Sequence, residues 1–118
     1  MPKITIKDYH NFLNKGKSKY RNIKTEYNGV MYDSKAEAKR AMELDILLRA
    51  GQITYLERQP RFPIGINGVK VFTYIADFRY ITSGGVVIVE DVKGMKTPMF
   101  NLKKKCVEAY YGIEIKLI

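Results

Sequence analysis

The sequence predicts an α/β fold, a mixed β-sheet flanked by helices. Two stretches carry helix boundaries at both ends, Ser34 to Gly51 and Thr97 to Gly112. Between and after them lie short runs rich in β-branched and aromatic residues. The most informative of these is Tyr74 to Gly94, YIADFRYITSGGVVIVEDVKG, which reads as two strands joined at Thr82-Ser83-Gly84-Gly85. With 118 residues the chain has room for one modest core.

Taken in order, the first expected element is a short helix before Asn14, capped by Thr5 with Asp8 three residues on. The run Lys15 to Lys24, KGKSKYRNIK, then carries Lys15, Lys17, Lys19, Arg21 and Lys24 with Tyr20 among them and no acid. Two readings stand for it: an arm lying along phosphates with a tyrosine able to stack, or a solvated linker. Residues 1–22 are accordingly set apart as a basic N-terminal arm, and residues 23–118 as the folded domain. Ile23 to Tyr32 reads as a hairpin, because Asn28-Gly29 tolerates the positive φ angles of a type I′ turn. Ser34 and Glu37 form a capping-box signature at the start of a helix that continues to Ala50 and stops at Gly51. Ile53 to Gln59 follows as a strand, Arg61 to Gly68 as a turn-rich connection, and Val69 to Tyr80 as the first strand of the central hairpin. Thr97-Pro98 opens the last helix, with Met99, Leu102, Cys106 and Tyr110 as its expected buried stripe. Ile113 to Ile118 supplies a final strand.

Composition narrows the chemistry. A hydrophobic share of 46% with nine Tyr and five Phe marks a globular chain. The sequence has no apolar run of membrane-spanning length and no signal-peptide core, so a cytoplasmic protein is expected. One cysteine and one histidine exclude a cysteine-cluster zinc site and argue against histidine chemistry, which leaves carboxylates. The formal charge of +9 points to a polyanionic partner, nucleic acid before membrane, since no basic amphipathic helix stands out.

The acids of the central hairpin have a use in that setting. Strand side chains alternate, so Asp91 and Lys93 share a face with Val87 and Val89, while Glu90 lies opposite with Ile88 and Val92. Two carboxylates from paired strands, Asp77 and Asp91, can hold a hard divalent cation through oxygen, and a nearby ammonium can orient a water attacking a phosphodiester. The same charges could instead pair in solvent, Asp91 with Lys93 or Arg79. Glu37 begins a helical line with Ala41, Leu44 and Leu48, so its carboxylate points toward the core or merely caps its helix. Met42 and Ile46 form a second apolar line that wants a partner. Lys103, near the start of the last helix, is placed to reach a phosphate.

The spacing D-x13-D-x-K resembles the PD-(D/E)XK nuclease superfamily, with Asp77 as first acid, Asp91-Val92-Lys93 as (D/E)-X-K, and Ala76 where the proline would stand. The longer run from Ser18 through SKAEAKRAMELDILLRAGQITYLERQPRF, YIADFRY and VVIVEDVKGMKT is similar to a family of small phage-encoded nucleases in that superfamily. The resemblance implies a restriction-endonuclease-like core, kinship to phage Holliday-junction resolvases, and Glu37, Asp77, Asp91 and Lys93 as the catalytic set. With it, Asp77, Asp91 and the Val92 carbonyl are expected to bind Mg²⁺, with Mn²⁺ able to substitute, Glu37 to bind it directly or through water, and Lys93 to position the water. Glu90 would replace Asp91 if the register slipped by one residue. The expected activity is metal-dependent cleavage of branched DNA by a homodimer. The rival expectations are a flap, nicking or duplex-cutting nuclease, and a non-catalytic basic DNA-binding module.

Overall fold

The computed structural model describes residues 23–92 and 96–118. The expected helix before Asn14, the basic run up to Arg21, and Lys93 lie outside the described residues. The fold is mixed α/β, and the chain divides into two compact units, residues 1–38 and 39–118, with the boundary inside a helix.

In the first unit, β1 (Thr25–Tyr27) and β2 (Val30–Tyr32) form an antiparallel hairpin in which Tyr27 opposes Val30. Asn28 and Gly29 adopt φ of 51° and 79°, the paired positive angles that the sequence predicts. Helix α1 (Lys35–Arg49) begins here. Ser34 Oγ accepts the Glu37 N–H at 3.1 Å, and Glu37 Oε2 accepts the Asp33 N–H at 3.2 Å, so the two side chains satisfy donors that a helix start leaves open.

In the second unit, α1 ends where Gly51 takes φ 75°. Leu44 and Ala41 are buried, but Leu48, expected on the same stripe, is exposed. The main sheet has the order β3-β6-β7-β8, from β3 (Ile53–Arg58), β6 (Phe78–Thr82), β7 (Val87–Asp91) and β8 (Ile115–Leu117). β3, β6 and β7 run antiparallel in turn, and β8 lies parallel to β7. β4 (Arg61–Ile66) and β5 (Val69–Ile75) form a separate antiparallel pair. Helix α2 (Pro98–Tyr111) packs against that pair, with Thr97 Oγ1 accepting the Phe100 N–H at its start and Gly112 in the left-handed conformation at its end. The core joins both sheets and α2 through Phe62, Ile64, Tyr74, Ala76, Val89, Val107 and Ile115.

Three expectations need correction. The stretch Arg61 to Gly68 is mostly strand: Pro63 is accommodated because β4 has a ladder on one side only. The long strand Val69 to Tyr80 is two strands, since the backbone changes partner at Ala76-Asp77. The Ala76 N–H still donates to Pro60 O, at 3.2 Å, whereas the Asp77 N–H already donates to Glu90 O, at 3.1 Å. On α2, Met99, Leu102 and Tyr110 are exposed and Cys106 is half-buried, while Val107 is fully buried and Phe100 partly so. The helix is rotated so that this neighbouring line meets the hairpin.

Candidate functional site

The change of partner at Ala76-Asp77 is what brings the acids together. Asp77 occupies the bend that leads into β6, and Asp91 ends β7, the strand beside it. Asp77 Oδ2 accepts the Val92 N–H at 2.6 Å, which ties the first carboxylate to the residue after the second. Asp91 is 2% exposed, and its Oδ2 accepts the hydroxyl of Tyr74 from the end of β5. Burial pushes the Tyr74 phenol well above its usual range, reinforced by the bond to Asp91 and by the charges of Asp91, Asp77 and Glu108. That phenol therefore remains a proton donor. It also lies within the field of both hairpin acids.

Glu90 belongs to another network. Direct cross-strand pairs share a face, so the pairings Phe78 with Glu90 and Tyr80 with Ile88 put Glu90 on the face opposite Val89 and Asp91. There it is fully buried and takes a two-pronged contact from Arg40 of α1, Nε to Oε1 at 2.8 Å and Nη2 to Oε2 at 2.6 Å. The Tyr80 hydroxyl donates to the same Oε2, and Arg40 Nη1 reaches Glu43 at 3.0 Å. The bond to Glu90 holds the Arg40 guanidinium even more firmly protonated than usual, and burial with the bond to Glu90 pushes the Tyr80 phenol up to about 12. Burying a carboxylate is costly unless it is paired and hydrogen-bonded, and Arg40 and Tyr80 supply both for Glu90.

The remaining expected residues are dispersed. Glu37 spends an oxygen on its own helix start and belongs to the first unit. Lys24 is exposed. Lys103 is half-buried, its Nζ 5.6 Å from the centre of the Phe72 ring. Lys15, Lys17, Lys19, Tyr20, Arg21 and Lys93 lie outside the described residues. Lys104 is half-buried and paired with Glu108 at 3.2 Å.

Among the described residues, no three His, Cys, Asp or Glu side chains gather into a metal-binding group. The Val92 group that meets Asp77 is its N–H, so the oxygens that could hold a cation here are those of Asp77 and Asp91; Mg²⁺, which keeps several waters, needs only one or two carboxylates. Tyr74, Tyr80 and Arg40 escaped the sequence argument. Arg40 and Glu90 are 50 residues apart, and no local pattern announces such a pair.

No described helix is long and apolar enough to cross a membrane. No curated protein and no solved structure matches the chain. Residues 17–118 match the family described as Protein of unknown function (DUF1064), and the chain belongs to that family.

Proposed function

We propose that this protein is a divalent-cation-dependent DNA endonuclease that cuts branched DNA such as four-way junctions. One observation carries the reading: the Asp77 carboxylate is hydrogen-bonded to the backbone beside Asp91, so two acids and a peptide unit meet where β6 and β7 begin and end. Asp77, Asp91 and the Val92 carbonyl would hold Mg²⁺, which supplies positive charge for the phosphate oxygens. Lys93 follows directly in the chain and would orient the attacking water. Hydrolysis forms a bond from that water's oxygen to phosphorus and breaks one phosphodiester P–O bond. The charge of +9 supports a nucleic-acid substrate.

Purified protein with Mg²⁺ should cleave labelled four-way DNA faster than flap or linear duplex. Asp77→Asn and Asp91→Asn should each abolish cleavage while leaving DNA affinity equal or higher, because less negative charge faces the phosphates. Cleavage retained by either variant rejects the assignment. Cutting of flaps or duplex as fast as junctions keeps the chemistry and rejects the junction preference. A second reading, a non-catalytic DNA-binding module, is favoured by the bonds that both carboxylates already make within the protein. Mn²⁺ binding followed by electron paramagnetic resonance separates the two, since the module should bind none at these acids.

A further inference from the structure

We propose that Tyr55 is a stacking site for an unpaired nucleobase; the choice of ligand rests on the DNA-nuclease reading above. Tyr55 sits at an irregularity of the edge strand β3, where the pairing steps from Thr54 opposite Ile81 to Glu57 opposite Arg79. Two residues, Tyr55 and Leu56, therefore oppose Tyr80 alone, and such a bulge re-aims a side chain. Its backbone takes φ 53°, which an L-residue with a Cβ adopts at a cost that glycine avoids. Elsewhere in the described chain such angles fall mostly to residues suited to them: Asn28, Asn67 and five glycines.

Packing does not compensate for the strain. Tyr55 is 80% exposed, and among the described residues its side chain makes no hydrogen bond or ring contact. An aromatic ring held out by a strained bulge is available to a flat partner, and bases stack on tyrosine whatever their sequence. Its place in the fold fits that partner. Four residues on, the Gln59 N–H donates to the Asp77 carbonyl at 2.9 Å, so about 13 Å of strand and that bond put the two backbones within about 16 Å. A base on Tyr55 would thus lie within about five stacked nucleotides of a phosphate at Asp77. Exposed Arg58 and Arg61 flank the same corner and match the charge of the strand.

The test uses the full chain in EDTA with two DNAs: a flap carrying 2-aminopurine in its single-stranded arm, and a blunt duplex. Wild type and Tyr55→Phe should quench the fluorophore and bind the flap alike. Tyr55→Gly should lose roughly five- to hundred-fold in flap affinity, the range for one lost stack, bind duplex unchanged, and melt at a higher temperature because the bulge is relieved. A Tyr55→Gly protein that binds the flap as tightly as wild type overturns the stacking site. If wild type still cleaves DNA with Mg²⁺ in that case, the nuclease reading survives; a wild type that neither binds nor cleaves DNA overturns both.

Discussion

The Tyr74 hydroxyl donates to the Asp91 carboxylate and helps set how it is turned. Tyr74→Phe keeps the ring beside Phe100, 6.4 Å between centres, and removes only the oxygen. Losing a hydrogen bond to a charged partner costs about 1.5–3 kcal/mol, measurable by urea unfolding. If Asp91 holds the cation, the folded variant should also need more Mg²⁺ for half-maximal cleavage, read from the rate against Mg²⁺ concentration. An unchanged Mg²⁺ dependence would make Tyr74 a packing residue. Glu37 poses the converse question, because its visible work is at the helix start. Glu37→Gln retains an acceptor oxygen and should shift stability by less than the roughly 1 kcal/mol of a lost cap. Loss of cleavage by this folded variant would mark a chemical role; full activity would leave it a cap alone.

Elements are tied together by pairs that local pattern does not reveal. Arg40 links α1 to β7 through Glu90, so Arg40→Met strands a buried carboxylate and should cost about 3–5 kcal/mol, seen as a lower urea midpoint. Tyr74 and Tyr80 both hold their protons more tightly in the folded state, and Tyr80 supplies the lower part of the alkaline limb. Its folded value near 12 lies above the ordinary 10, so the folded state holds the proton more tightly. The associated stability is complete below pH 10 and is lost as the pH rises toward 12. Tyr80→Phe should flatten that alkaline limb in part, leaving the share of Tyr74, while lowering stability at neutral pH. Caps and turns were legible in the sequence because they are short-range: Asn28-Gly29, Ser34 with Glu37, and Thr97-Pro98 carry their own geometry. The stripe of α2 was not. The expected line through Met99 and Cys106 is turned by about 100° from the one through Phe100 and Val107, and which line is buried depends on the β4–β5 hairpin. The break at Ala76-Asp77 was equally hidden, since it reflects a change of ladder partner within an unbroken β-forming run.

For the molecule as a whole, charge and apolar surface set the expected associations. Deleting residues 1–22 should flatten the dependence of log K on log salt by about 0.9 for each duplex phosphate that the arm neutralises; an unchanged slope would make the arm a linker. Met42 and Ile46 are 43% and 59% exposed; under the proposed junction cleavage, which needs two opposed cuts, a dimer through this side of α1 would be the assembly. Light scattering with Met42→Lys tests it, the variant being expected to run as a monomer. The β6–β7 hairpin, finally, changes what the interval between the two acids means. Its thirteen intervening residues are an accounting of one hairpin's length, up β6, around Thr82 to Val86, and down β7. The proposed chemistry would constrain only the open end, where Asp77 meets Val92. A relative with a taller hairpin would carry the same pair of acids at a wider interval, and a pattern search with a fixed gap would pass over it.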